Sequence, residues 1–233
     1  RMTGRMVDFE AAGTRAPGYL ATPDADTGPG VIVLHAFWGL TEPFRQVCDR
    51  LAEAGYSALA PDLYRGETAT TVERAQALGD ALDAQEERWR GDIVGAARFL
   101  QQYTAPHLEG QGKLALVGFS LGGAYALDMS VTLADRVAAV VVFYDAWAGP
   151  DFRRAQAAYL CHFAEEDTFL PPEKIAALEQ ALKAAGRDAT FYTYPGTKHW
   201  FFEANRPDAY SPAAAALAWE RTLGFLNTHI SQT

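Results

Sequence analysis

Short β-branched runs that alternate with amphipathic helical stretches predict an α/β protein built on a mostly parallel sheet with helices on both faces. Two further observations support this. The run Lys113-Leu114-Ala115-Leu116-Val117-Gly118-Phe119-Ser120-Leu121-Gly122-Gly123 reads as a buried strand turning at once into a helix through G-x-S-x-G. The composition is uniform, with no linker-like break and no internal repeat, so the whole chain, 1–233, is expected to form one domain.

The elements follow in order. Val31 to His35 is a β-branched run after Gly28-Pro29-Gly30 and reads as the first buried strand. Phe44, Val47, Cys48, Leu51 and Ala52 recur at helical spacing, and Gly55 stops that helix. Tyr56 to Ala60 is the second strand, ended by Pro61-Asp62. Two helices follow, one over Val72 to Leu82 and a longer one with Trp89, Ile93, Ala96, Ala97, Leu100 and Tyr103 on one face. Lys113 to Phe119, Val137 to Tyr144, Tyr159 to Phe163 and Thr190 to Tyr194 are the remaining buried strands. Ser211-Pro212 is an N-cap followed by proline at the first helical position. Behind it, Trp219, Leu223, Leu226 and Ile230 form the expected inner stripe of a C-terminal helix. The segment around Phe9 and Tyr19-Leu20 adds one or two antiparallel edge strands. The roughly fourteen residues between the fourth and fifth buried strands hold one short helix and no lid domain, which implies a site covered by loops alone.

Composition excludes several function classes. A net charge of −9 disfavours nucleic acid and anionic membrane as partners, since both need a basic face. No apolar run approaches the ~18 residues that cross a bilayer. Arg1 to Leu20 lacks a continuous apolar core, so no secretory signal is expected. Of the two cysteines, Cys48 falls on the apolar stripe of an expected helix and Cys161 in an expected strand; both read as small core residues, which fits a reducing, cytoplasmic setting. No His, Cys and carboxylate cluster has metal-ligand spacing, and the glycines around Ser120 do not spell a phosphate-binding loop, so no cofactor is expected.

A serine on a tight strand-to-helix turn presents its hydroxyl at the sheet's end, where functional groups of such folds collect. It needs an imidazole to take its proton and a carboxylate to orient that imidazole. Five histidines are available. His107 precedes the serine in a loop, His229 lies on a polar helical face, and His162 sits inside the fifth buried strand. His35 ends the first buried strand, where it would line the site. Only His199 follows the last strand in a loop, which makes it the expected base. Asp167, after the fifth buried strand, is the expected acid, with Asp145 as the alternative and Glu165 and Glu166 solvating the loop. The competing role for Asp167 is to cap the helix that begins near Pro171. The backbone N–H groups of Leu121 and Phe37 are the expected oxyanion donors.

At these positions the sequence resembles the dienelactone hydrolase family of α/β-hydrolases. The resemblance runs from about Val31 to Ile230 and rests on H-A-F-W-G at 35–39, A-P-D-L-Y at 60–64 and G-F-S-L-G-G at 118–123. It continues through E-D-T-F-L-P-P at 166–172, Y-P-G-T-K-H-W-F at 194–201 and Ala218 to Thr222. It implies a lidless α/β-hydrolase fold and the triad Ser120, Asp167 and His199. Four positions depart from the family's best-known enzymes. Ser120 stands in place of a cysteine, and Ala36 in place of the glutamate that engages the resting thiol. These two changes agree, since a serine–histidine pair needs no carboxylate switch. Glu203 occupies the position, four residues after the histidine, of an arginine that holds a substrate carboxylate, and Arg206 lies three residues further on. Trp200 follows the histidine where a glycine is common.

Trp38, Tyr64, Tyr144 and Trp200, with Phe37, Trp147 and Phe201, fall at strand ends and suit an apolar, narrow pocket for small acyl or aryl esters. Arg65 and Arg206 are candidates for an anionic substrate group. The leading expectation is a carboxylic ester hydrolase acting on small esters or lactones through an acyl-Ser120 intermediate. A thioesterase, peptidase or acyltransferase on the same triad, or a hydrolase-fold ligand receptor, are the alternatives. Rates on matched ester, thioester and amide substrates separate the enzymes, and tight binding without turnover marks the receptor.

Overall fold

The computed structural model describes residues 4–24, 28–104 and 112–230. The chain divides into two compact units, Arg1–Leu114 with Gln232–Thr233, and Ala115–Ser231.

In the first unit, β1 (Arg5–Ala11) and β2 (Thr14–Ala21) form an antiparallel hairpin turned at Ala12-Gly13, whose φ angles of 49° and 78° suit a two-residue turn. β4 (Ser57–Pro61) pairs antiparallel with β2 and parallel with β3 (Gly30–Leu34), giving the order β1-β2-β4-β3. Every residue of β3 and β4 is buried, as expected of strands covered on both faces. The helices are α1 (Glu42–Glu53), α2 (Val72–Asp83) and α3 (Glu86–Thr104). α1 buries Phe44, Val47, Cys48, Leu51 and Ala52, the face that the spacing predicts. α3 differs from its apolar reading: Asp92 is buried on the inner face, and its Oδ1 accepts from Arg65 Nη2 at 2.7 Å. Arg65 also donates to the Arg15 carbonyl at 2.7 Å. It therefore serves as a buried-carboxylate partner rather than as a free guanidinium for substrate.

The second unit carries β5 (Leu114–Phe119), α4 (Leu121–Leu133), β6 (Val137–Phe143), β7 (Ala158–Ala164), α5 (Pro172–Ala184), β8 (Ala189–Tyr194) and α6 (Pro212–Ile230). β5, β6, β7 and β8 lie in that order, with β6, β7 and β8 parallel. α4 packs on β6, and α6 on β6 and β7. Between β6 and β7 the chain makes only a 3-10 turn at Phe152–Arg154, so no lid is inserted there.

α6 turns a partly different face inward from the expected one, keeping Leu226 and Ile230 inside. Ala215, Ala218, Thr222, Leu226 and Ile230 are buried, whereas Trp219 and Leu223 are half-buried. The cause is a polar requirement beneath the helix. His162, wholly buried in β7, contacts Thr222 Oγ1 through Nε2 at 2.9 Å and Tyr194 Oη through Nδ1 at 2.8 Å. Burying that imidazole without partners would cost more than rotating a tryptophan toward Phe202, where Trp219 now packs. Among the described residues, no helix is long and apolar enough to cross a membrane.

Candidate active site

Ser120 is the single residue between β5 and α4, with φ +52° and ψ −118°. A left-handed conformation in a non-glycine residue stores strain of about 1–3 kcal/mol and lifts the side chain out of the strand. The flanking sequence is permissive for close-packing reasons. A Cβ on Gly118 would lie 2.2 Å from the Gly122 carbonyl oxygen, a backbone atom that cannot give way. The Ser120 carbonyl accepts from Gly123 and Ala124, starting α4 directly behind the hydroxyl. Leu121 is the first residue of that helix, where an N–H has no intrahelical acceptor and the helix dipole favours negative charge.

Ser120 Oγ lies 2.9 Å from His199 Nε2, and His199 Nδ1 lies 2.6 Å from Asp167 Oδ2. With an ionised Asp167 accepting from Nδ1–H, Nε2 is left as the acceptor for the serine hydroxyl. Two neighbours fix the carboxylate: its Oδ1 accepts from the N–H groups of Phe169 at 2.8 Å and Leu170 at 3.0 Å. Asp167 thus organises its own loop rather than capping α5, whose N-cap is Pro171. The loops after β7 and β8 are joined directly. Glu165 Oε2 accepts from Gly196 N–H at 2.7 Å, and Glu166 N–H donates to the Thr197 carbonyl at 2.9 Å. Glu165, expected only to solvate its loop, is a cross-loop tie. The imidazole is 6% exposed at its side chain and Asp167 3%, so their contact is shielded from water. This arrangement can move a proton off a serine hydroxyl and hold the resulting imidazolium beside a carboxylate.

The other candidates fall elsewhere. Asp145 accepts from the Ala146 N–H at 2.7 Å, and desolvation by burial raises its pKa to about 6. His35 does not line a site: it is fully buried, its Nε2 accepts from Leu63 N–H, and Nδ1 lies 2.7 Å from the Ala36 carbonyl. Both ring nitrogens serve the backbone, and burial lowers its pKa. His162 is the buried structural histidine described above, and burial takes its pKa down to about 3. The His229 ring lies tilted against Phe225 with centroids 4.5 Å apart, and His107 lies outside the described residues.

Of the expected pocket aromatics, Trp38 and Tyr64 are nearly fully buried within the first unit. Phe37, in the turn after β3, packs edge-on against Trp38 with ring centroids 4.9 Å apart. Tyr144, expected in the substrate pocket, is fully buried. Its ring lies 4.9 Å from the His199 ring, and its hydroxyl donates to Glu203 Oε2. Burial drives the Glu203 carboxyl up to about 8, with the Tyr144 hydroxyl and Arg206 pulling the other way. Phe201 is buried against Tyr144 and Tyr194, and Trp147 is 48% exposed. Trp200 stands edge-on to His199 at 5.1 Å.

Sequence reasoning missed Phe169. It is 48% exposed, yet its ring lies 5.0 Å from His199 and 4.8 Å from Trp200. Its signal was its place two residues after the acid. In the sequence Glu203 reads only as the absence of an arginine, and its link to Tyr144, 59 residues away, leaves no trace in the local pattern.

The chain is 31% identical to a Bradyrhizobium protein named as a probable 2-oxo-3-(5-oxofuran-2-ylidene)propanoate lactonase, over 96% of this chain and 94% of that protein. It is 30% identical to protein usf of Aquifex pyrophilus, over 98% of this chain and all of that protein. Among solved structures, a dienelactone hydrolase-like promiscuous phosphotriesterase from metagenomic libraries superposes with a TM-score of 0.83 at 23% identity, covering 99% of each chain. The sequence model of the dienelactone hydrolase family matches residues 16–230. The fold is thus that of the α/β-hydrolases, and the chain belongs to the dienelactone hydrolase family, a family of hydrolases.

Proposed function

We propose that the protein is a serine-dependent carboxylic ester hydrolase for small esters or lactones, working through an acyl-Ser120 intermediate. The observation that carries this reading is the unbroken hydrogen-bonded chain from Ser120 Oγ through His199 to Asp167. The Bradyrhizobium relative's name, that of a lactonase, supports the ester-bond class.

In the first half-reaction Ser120 Oγ attacks the acyl carbon while its proton passes to His199 Nε2. The new imidazolium is held by Asp167. Negative charge on the former carbonyl oxygen is met by the Leu121 N–H at the start of α4, and the sequence assigns the second donor to the Phe37 N–H. Collapse breaks the C–O bond, and Nε2–H protonates the leaving alkoxide. In a lactone that alcohol stays tethered to the acyl group. Water then attacks the acyl carbon, gives its proton to His199, and releases the acid as Ser120 Oγ regains a proton.

The testing experiment is labelling of the intact protein with a fluorophosphonate, mapping of the modified peptide, and the Ser120→Ala variant. The label is expected on Ser120, and the variant is expected to lose at least about 10⁴-fold in kcat if the three residues act as a unit. Near-normal ester hydrolysis by Ser120→Ala would exclude this mechanism.

A further inference from the structure

Resting on that hydrolytic reading, we propose that the buried Tyr144–Glu203 pair holds the His199 imidazole in register with Ser120, so that Glu203 is a positioning residue for the reaction.

Three observations carry this. First, the histidine and the carboxyl belong to one compact segment. Phe201 N–H bonds the Lys198 carbonyl at 3.1 Å, Glu203 N–H the Trp200 carbonyl at 2.9 Å, and Arg206 N–H the Glu203 carbonyl at 3.0 Å. Consecutive turns thus carry His199 at one end and Glu203 in the middle, and what fixes one constrains the other.

Second, the segment is fastened to the sheet through Tyr144. The Tyr144 N–H donates to the His162 carbonyl at 2.8 Å, which fixes its backbone at the end of β6. Its hydroxyl donates to Glu203 Oε2, and between these anchors its ring supports the His199 ring at a centroid distance of 4.9 Å. Asp167 holds His199 at Nδ1, while Phe169 and Trp200 flank the ring at centroid distances of 5.0 and 5.1 Å, so Tyr144 is the contact that ties the imidazole to the end of β6.

Third, the arrangement is costly in ways that packing alone does not require. Tyr144 has φ +44°, a conformation an aromatic residue adopts only where its surroundings impose it. Glu203 is 1% exposed, and its Oε1 has no hydrogen-bond partner among the described residues. A leucine would fill that space without desolvating a carboxyl, but it could not accept the tyrosine hydroxyl. The elevated carboxyl pKa agrees with a group held in place by burial.

The test compares Glu203→Leu, Tyr144→Phe, their double variant and Glu203→Gln in the full chain. Ester hydrolysis is measured per active site, counted by end-point fluorophosphonate labelling, so that loss of folded protein does not register. Glu203→Leu and Tyr144→Phe are each expected to lower kcat by about 10–100-fold with KM changed less than about threefold, the size of effect that follows from a base displaced by a fraction of an ångström. The double variant should be no slower than the worse single one, because both remove the same anchor. Glu203→Gln keeps an acceptor and should recover kcat to within about fivefold of the parent. If Glu203→Leu does not fold, Tyr144→Phe decides the matter, since it keeps the ring and removes only the hydroxyl. Parental kcat per labelled site in Tyr144→Phe, or a Glu203→Gln as slow as Glu203→Leu, overturns the inference. A Ser120→Ala variant that still hydrolyses esters overturns the underlying mechanism instead, whatever the Glu203 variants do.

Discussion

The Ser120 N–H donates to the Phe143 carbonyl at 2.8 Å, so the turn that bears the hydroxyl is pinned to the end of β6. That tie leaves the turn no room to relax around added atoms. Gly118→Ala would drive a Cβ to 2.2 Å from the Gly122 carbonyl oxygen, whereas Gly123→Ala would place one 2.8 Å from the Val142 Cγ1 methyl. The first contact is with backbone and the second with a side chain. Gly123→Ala should cost about 1–3 kcal/mol, partly recovered in Gly123→Ala/Val142→Ala, while Gly118→Ala should cost more and have no such rescue. Urea denaturation and ester hydrolysis of the three proteins check this. A stable, active Gly118→Ala would show that the turn is not crowded.

Asp167 and Asp145 both end up near the imidazole, but only Asp167 accepts from Nδ1 and is itself held by two N–H groups. Asp167→Asn should therefore lower kcat by on the order of 10³–10⁴, because an amide no longer enforces the required imidazole tautomer or stabilises its charged form. Asp145→Asn keeps the acceptor used by Ala146 and should cost less than about tenfold. Steady-state rates with one activated ester decide between them. The reverse order of effects would move the acid to Asp145.

The features legible in the sequence are those encoded locally. The alternation of strand and helix, the buried character of β3 and β5 and the apolar face of α1 each follow from a period or a run of one residue class. Ser120, Asp167 and His199 each follow from position after a strand, and hydrogen bonds join all three in the structure. The illegible features depend on a partner far along the chain. Thr222 faces inward because His162 needs it, so the stripe of α6 cannot be read from α6 alone. Asp92 is buried on an apolar face because Arg65 waits 27 residues earlier. Glu203 and Tyr144 satisfy one another in the same way.

Burial holds His162 neutral, with its pKa down at about 3, whereas in the unfolded chain it titrates near 6.5. Below pH 6.5 the unfolded state takes up a proton that the folded state refuses. The stability tied to this group is thus complete above pH 6.5 and lost as pH falls toward 3. Between pH 7 and 5 the loss from this one group is about 2 kcal/mol. Urea denaturation at the two pH values should show the parent losing about that much more than His162→Gln, whose side chain does not titrate. An equal loss in both proteins would show that His162 is protonated in the folded state.

Phe169 is 48% exposed, and its ring lies against His199 and Trp200. In the proposed reaction the leaving oxygen takes its proton from His199 Nε2, so the group attached to that oxygen must lie beside whatever flanks the imidazole. Phe169 and Trp200 should accordingly recognise the alcohol half of an ester rather than the acyl half. The apolar area lost on truncation, at roughly 25 cal/mol per Å² over several tens of Å², amounts to about 1–2 kcal/mol, or about tenfold in kcat/KM. Phe169→Ala should lower kcat/KM about tenfold for a benzyl ester and less than about threefold for the methyl ester of the same acid. Lengthening the acyl chain with the alcohol held constant should leave the ratio of variant to parent unchanged. A uniform loss across all three esters would mean that the ring only steadies His199, and a loss confined to the longer acyl chains would place Phe169 on the acyl side.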